Sequence, residues 1–292
     1  MIDFFQAVVA GIANGCIYAL VAIGVVLIYK ATEVVNFAQG ELMMIGAFFA
    51  FTFIVLVGLP YWVAFIIMIV VMALFGMGLD KILIRPLIGY PTFSIVMLTI
   101  GLGILARSVV SCIPGWGPET YGFHTPFVDQ NTNIGKLVLS DEQLIVIVIT
   151  TLLIVALFSF FKFTRIGIAM QAVSENQLAA TYMGISVKKV FSLIWALSAV
   201  VAGFAGILLA PITFVHVNMG FIGMKAFPAA VLGGLMSVPG AIVGGLVIGI
   251  TENLAGLYLP MGWKDVAAYI ILIFVLIIRP EGIFGNKERK KV

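Results

Sequence analysis

Ala226-Phe-Pro-Ala-Ala-Val-Leu-Gly-Gly-Leu-Met-Ser-Val-Pro-Gly-Ala-Ile-Val-Gly-Gly-Leu-Val-Ile-Gly-Ile250 is an apolar run of membrane length, interrupted near its middle by Pro239 and Gly240. Proline lacks a backbone donor and clashes with the turn before it, so a helix seldom passes through it undisturbed. The pair divides the run into halves of about twelve residues, and each half as a helix reaches roughly 18 Å, the middle of a bilayer and not its far side. Broken helices of this kind are tolerated at membrane depth where protein buries them or where they line a cavity. The run therefore reads as a re-entrant hairpin, with a single Pro-kinked span as the alternative. Gly233, Gly234, Gly240, Gly244, Gly245 and Gly249 crowd around Pro239. Absent side chains let helix backbones approach, so this is where the tightest packing is expected.

The surrounding chain favours the hairpin and leaves the kinked span open. Of 292 residues, 62% are hydrophobic and 10% charged, against roughly half and a quarter in an ordinary soluble domain. This composition excludes a soluble globular class and indicates an integral membrane protein. Seven further apolar runs cover residues 4–29, 37–57, 61–79, 92–113, 144–161, 190–211 and 266–278. No Lys or Arg precedes the first, and it is longer than the apolar core of a cleaved signal peptide, so it is expected to remain as a span.

Lys and Arg are enriched in cytoplasmic loops. Lys30 follows the first run, Lys81 and Arg85 the third, and Lys162, Arg165, Lys188 and Lys189 the fifth; Arg279, Lys287, Arg289, Lys290 and Lys291 close the chain. Arg107, Lys136, Lys225 and Lys264 fall elsewhere. This pattern puts the N-terminus outside and the tail, 279–292, in the cytoplasm. Eight full crossings would return the tail to the side of the N-terminus, so one run must fail to cross. A hairpin at 226–250 that enters and leaves on the outside repairs the parity. The expected fold is all-α, a polytopic transmembrane helical bundle of about seven to eight membrane helices plus a broken or re-entrant Gly-rich hairpin. It forms a single domain over 1–292.

Other features are less committed. Gly11 and Gly15 form a small-residue pair four apart in the first run, suited to a close helix contact. In Asn36-Phe-Ala-Gln-Gly-Glu41, Asn36 suits a helix cap and Glu41 a helix start. Gln39 and Gly40 are not needed for that, and polar groups at a helix entry can equally line a substrate route. The segment 114–143, with Trp116, Glu119, Asp129, Asp141 and Glu142, reads as an outside loop, either solvated or touching an extracytoplasmic partner. His124 and His216 stand apart and make no metal site, and Cys16 and Cys112 read as small buried residues. No phosphate-cradling loop, zinc-protease motif or nucleophile elbow occurs, so no catalytic residue and no metal ligand is assigned. Arg107 and Glu252 fall near predicted span ends and are expected to reach the interface. Without an acidic pair for proton coupling, the energy for uphill transport would have to come from another chain.

The stretch 162–189 is a polar island, basic at both ends and helix-forming in the middle. Ala172-Val-Ser-Glu175-Asn176, then Ala179-Ala180, then Met183-Gly184-Ile185 resembles the cytoplasmic coupling loop of ABC importer permeases. With 36–41, Phe227-Pro228-Ala229-Ala230-Val231-Leu232-Gly233-Gly234, Pro239-Gly240 and Arg279-Pro280-Glu281-Gly282-Ile283-Phe284-Gly285, nearly the whole chain resembles the permease family of branched-chain amino-acid ABC transporters, LivH type. Ile168 and Gln171 stand where members commonly carry further basic residues.

The resemblance implies that Ala172, Glu175, Asn176, Ala179, Ala180, Gly184 and Ile185 couple to an ATPase, with Ser174 or Ser186 available as caps. It implies two cytoplasmic ABC ATPase subunits that bind ATP and Mg, a homologous sister permease and an extracytoplasmic substrate-binding protein. This chain itself is expected to hold no cofactor, to bind no nucleic acid, and to sit multi-pass in a bacterial or archaeal inner membrane. The expected cargo is branched-chain or other apolar amino acids, with urea or short amides as the alternative. Asn14, Asn36, Gln39, Gly40 and Thr99 are the candidate pathway residues. A stand-alone channel or secondary transporter is the competing class; a purely structural scaffold would not need the Gly-rich hairpin.

Overall fold

The computed structural model describes residues 2–123, 125–126, 131–134, 137–260 and 262–285. The elements, in order, are α1 (Ile2–Thr32), α2 (Gln39–Phe51, continued by a π turn, Thr52–Leu56), α3 (Tyr61–Leu79), α4 (Thr92–Cys112), β1 (Asn131–Ile134), β2 (Leu137–Ser140), α5 (Asp141–Phe163), α6 (Arg165–Glu175), α7 (Gln177–Tyr182), α8 (Val187–Thr213), α9 (Met219–Met224), α10 (Ala226–Gly233), α11 (Val238–Tyr258) and α12 (Trp263–Ile278). Among the described residues seven helices are long and apolar enough to cross a membrane: α1, α2 with its extension, α3 with its continuation to Leu87, α4, α5, α8 and α11. The protein is thus a polytopic helical bundle. Among the described residues, the only strands form the short antiparallel β1–β2 ribbon.

Glycine contacts build the centre. α1 is buried along most of its length from Gly11 onward and runs antiparallel to α11, its most extensive partner. A Cβ on Gly11 would lie 2.7 Å from Ile250 Cα, and one on Gly15 2.8 Å from Leu246 Cα. Gly249 and Gly245 answer from α11 against Gly15 and Ala19. α2 and α8 lie beside this pair and run parallel: Gln39 meets Ser198, and farther along Gly46 meets Gly203. The peripheral helices turn apolar side chains outward in helical stripes, such as Trp62, Ile66, Val70 and Leu74 on α3 and Val148, Leu152 and Val155 on α5. Contiguous apolar surface of this kind is what a bilayer covers.

The Gly-rich run breaks earlier than the sequence suggests. Pro239 and Gly240 do not divide it; the turn lies at 234–237, with Gly234 at φ +103°. Pro239 occupies the first turn of α11, where its missing N–H would have had no helical partner in any case. Ser237 caps that helix, its Oγ accepting from Gly240 N at 3.1 Å. The arms are also unequal: α9 and α10 form one, while α11 is a full 21-residue helix. α10 packs antiparallel on α11 so closely that Gly233 faces the Gly240 backbone and Gly244 the Ala229 carbonyl. The turn meets the tail, where Ile283 N donates to Leu232 O at 2.8 Å and Phe284 N to Gly233 O at 3.1 Å. The hairpin thus reaches the end of the bundle opposite to where α1 begins, instead of stopping midway.

Two further expectations change. Cys112 is exposed, unlike the buried Cys16. The start of the 114–143 segment is no solvated loop: Trp116 stacks on Phe48 with its Nε1 donating to Thr52 Oγ1 at 2.7 Å, and Tyr121 pairs with Val215 through two backbone bonds. His124, Asp129, Lys136 and the tail residues Lys287, Arg289, Lys290 and Lys291 lie outside the described residues.

Candidate functional site

The island 162–189 folds into two short helices held against the bundle. Thr164 ends α5 and starts α6, its Oγ1 accepting from Gly167 N at 2.9 Å. Gly167 lets α6 turn back on α5, since a Cβ there would stand 2.6 Å from Phe161 Cα. Asn176 starts α7, with Oδ1 accepting from Ala179 N at 2.9 Å. The capping roles expected of Ser174 and Ser186 are not seen: Ser174 Oγ donates back to Met170 O, and Ser186 makes no side-chain cap bond. Thr164 and Asn176, with extended backbone at the two helix starts, take those roles.

α7 ends in a Schellman motif. Ile185 N donates to Ala180 O and Gly184 N to Thr181 O, each at 3.0 Å, around Gly184 at φ +81°. Nothing lies within 4 Å of where a Gly184 side chain would start, so glycine serves the backbone there and not close packing. Gln177 Nε2 donates to Ala31 O at 3.0 Å, and Lys30 pairs with Glu175 at 3.4 Å, tying the helices to the end of α1.

The expected coupling residues divide. Glu175, Asn176, Ala179 and Gly184 are exposed, Ala172 and Ile185 are half-buried, and Ala180 is the buried residue of α7. Sequence reading missed the apolar group beside them. Leu178, Tyr182 and Met183 are 72%, 87% and 84% exposed at this end of the bundle. The i, i+4 spacing of Leu178 and Tyr182 on a capped helix was the available signal. Also missed was a buried polar knot under the island. Asp80 is fully buried; Arg85 Nη2 donates to Asp80 Oδ2 at 2.8 Å, to Ser192 Oγ at 2.6 Å and to Lys188 O at 3.1 Å. It joins the α3–α4 connection to the first turns of α8.

The second region lies where α2 starts. A cavity of about 170 Å³ is lined by Val25, Asn36, Phe37, Gln39, Gly40, Gly223, Met224, Phe227, Pro228 and Tyr269. The buried amides of Asn36 and Gln39 lie at one side of it, with Asn36 Nδ2 donating to Gln39 Oε1 at 3.0 Å. Gln39 Nε2 donates to Ser198 O at 3.2 Å, and Ser198 Oγ lies 3.0 Å from Gly24 O. Asn36 is not the cap of α2: that position is Ala38, and Asn36 Oδ1 instead accepts from Ala38 N at 3.1 Å. Thr99 is fully buried and braces the segment leading into α2, accepting from Phe37 N at 3.3 Å. Asn14 is half-buried elsewhere on α1 and does not line the cavity. Asn36, Gln39 and Gly40 are brought together; Thr99 and Asn14 are not.

Ion pairs flank this region in place of interfacial charges. Glu41 is buried against Gly103 and Gly220 and accepts from Arg107 Nη2 at 2.6 Å, while Arg107 lies 3.8 Å from the Phe221 ring centroid. Glu252 is buried and accepts from Tyr18 Oη and Lys225 Nζ, each at 2.7 Å; Lys225 also meets Asp265. The expectation that Arg107 and Glu252 reach the interface is therefore corrected. Each charge is neutralised across helices, as a group in low dielectric must be.

Comparison with known proteins adds a family match: the model described as branched-chain amino acid transport system / permease component fits residues 7–276. The chain is 33% identical to the high-affinity branched-chain amino acid transport system permease protein LivH of Escherichia coli strain K12, covering 99% of this chain and 98% of that one. Identity is also 33%, with the same coverage, to the corresponding permease protein BraD of Pseudomonas aeruginosa. It is 30% to the probable branched-chain amino acid transport permease protein LivH of Methanocaldococcus jannaschii, over 93% and 89% of the two chains. No solved structure matches the chain.

Proposed function

The chain belongs to the branched-chain amino acid transport permease family, and from that premise we propose that it is the membrane-spanning subunit of an ATP-driven importer carrying branched-chain or other apolar amino acids. The proposed assembly holds two cytoplasmic ABC ATPases that bind ATP and Mg, a sister permease and an extracytoplasmic binding protein. The N-terminus lies outside and the tail in the cytoplasm, in keeping with Lys30, Lys81, Arg85, Lys162 and Arg165 at one end of the bundle.

One observation carries the coupling assignment: Leu178 and Tyr182 on a short capped, anchored helix, and Met183 just after it, stand exposed at the end of the bundle. Such a helix suits a groove on a partner, its apolar residues serving as anchors. ATPase closure would displace the Gly184 turn, and the knot of Asp80, Arg85 and Ser192 would pass that movement to α3 and α4. The cavity of about 170 Å³ is smaller than the ~300–1,000 Å³ of a complete ligand site. It is read as half a passage, its amides from Asn36 and Gln39 beside an apolar wall, completed by the sister permease. Reconstitution with ATPases, sister permease and binding protein tests the reading, by screening leucine, isoleucine and valine against urea and short amides for stimulated ATP hydrolysis. Uptake by this chain alone in vesicles would overturn it in favour of a stand-alone channel or secondary transporter.

A further inference from the structure

A second cavity, of about 340 Å³, opens between α1, α5, α6, the hairpin turn and the tail. It falls within the size range of ligand sites, and nothing in the transport cycle above uses it. Leu157 and Phe161 give it apolar walls, while Lys30, Gln171, Ser174 and Ser237 supply polar groups at one end of the bundle. Phe158, Phe161 and Gln171 also line an adjoining cavity of about 400 Å³ that contains Lys162. The two hollows therefore share a wall, with a lysine in each.

The charge pattern selects the ligand. Neither set of lining residues contains Asp or Glu. A zwitterionic amino acid would find a partner for its carboxylate and none for its ammonium. Glu175 does approach Lys30 at 3.4 Å, but its side chain is 75% exposed, and a pair of that kind holds its partner weakly. The α5 face running away from the hollows is apolar and outward: Val148, Leu152, Val155 and Phe158 are all exposed at helical spacing. A head with one negative charge fits the lysines, and apolar tails fit the stripe.

We propose that this double hollow binds an anionic phospholipid, its phosphate between Lys30 and Lys162 and its acyl chains along α5. Basic pockets between helices at the cytoplasmic level are suited to anionic headgroups. Because Gln171 and Ser174 belong to α6, the bound lipid would brace the first helix of the island against α5.

Native mass spectrometry of the full-length protein in mild detergent, titrated with phosphatidylglycerol or phosphatidylcholine, tests this directly. One phosphatidylglycerol should be retained in preference to phosphatidylcholine. Lys30→Gln with Lys162→Gln should weaken that retention by about thirtyfold, equivalent to about 1 kcal/mol for each basic residue. Lys264→Gln, at the opposite end, should leave it unchanged. Lys30→Arg with Lys162→Arg keeps the charge and should keep the lipid, which guards against a double glutamine variant that fails to fold. Equal retention of both lipids, unchanged retention in the glutamine variant, or loss in the arginine variant would overturn the site. So would displacement of the lipid by leucine, which would assign an amino-acid site, or by inorganic phosphate, which would assign a site for a free anion. None of these outcomes depends on transport, so the proposal stands or falls separately from the importer reading.

Discussion

At the scale of single residues, Gly184 is where backbone conformation meets the proposed coupling role. Its φ of +81° is a region that L side chains enter only with strain, costing about 1 kcal/mol or more and most for β-branched residues. With open space around it, only the turn should respond to substitution. Gly184→Val is expected to lower substrate-stimulated ATP hydrolysis in the reconstituted assembly while leaving membrane insertion intact, whereas Gly184→Asn, which tolerates this conformation, should keep most of it; equal activity in all three would remove the turn from coupling. Gly184 stood out in the sequence through its resemblance to the coupling loop, and the structure supplies the physical reason for glycine there: it ends α7 in the left-handed conformation. Arg107 and Glu252 were misread because their partners, Glu41 and Lys225, are 66 and 27 residues away, and one-dimensional spacing does not show such pairs. Breaking a buried pair from one side leaves an unpaired charge costing about 3–5 kcal/mol. Arg107→Gln should therefore lower the unfolding temperature in detergent more than Arg107→Gln combined with Glu41→Gln.

At the scale of elements, helix existence followed from length and apolarity, and the hairpin reading of the Gly-rich run rested on its interruption at Pro239-Gly240 and on the parity of the basic connections. The position of its break did not follow. Proline is disruptive inside a helix but harmless in the first turn, and the sequence around Pro239 does not say which applies until Ser237 is seen capping Gly240. Pro239→Ala is accordingly expected to change thermal stability little, by less than about 1 kcal/mol. Gly245→Leu, by contrast, would push against the Ala19 backbone, 2.6 Å from where its Cβ would stand, and overpacking of that kind typically costs about 1–3 kcal/mol or more. Thermal unfolding of the two variants in one detergent decides the comparison, and a Pro239→Ala variant less stable than Gly245→Leu would put the break back at the proline.

At the scale of the whole molecule, the island reaches the spans through the knot at Asp80, which joins the α3–α4 connection to α8. Its bonds to α8 cross more than a hundred positions of sequence, with Arg85 to Ser192 separated by 107; only the Arg85–Asp80 pair, five residues apart, is local, so the sequence around it did not announce the knot. The arrangement separates two possible roles. If the knot only holds the fold, weakening it should lower stability and leave the surviving protein fully coupled. If it transmits movement, a mild change should uncouple ATP hydrolysis from substrate before it unfolds anything. Ser192→Ala is the mild change, since it leaves Arg85 paired with Asp80 at 2.8 Å and removes only a hydroxyl that accepts from Arg85 Nη2 and donates to Asp80 Oδ2; losing such a hydrogen bond costs about 0.5–1.5 kcal/mol, and about 1.5–3 kcal/mol where the partner is charged. The expected result is unchanged ATPase binding and insertion with a several-fold smaller stimulation of ATP hydrolysis by loaded binding protein. Full stimulation in Ser192→Ala, measured beside an equally destabilised variant elsewhere such as Ser108→Gly on the exposed side of α4, would reduce the knot to a structural clasp and leave the direct contacts of α6 and α7 as the route from ATPase to pathway.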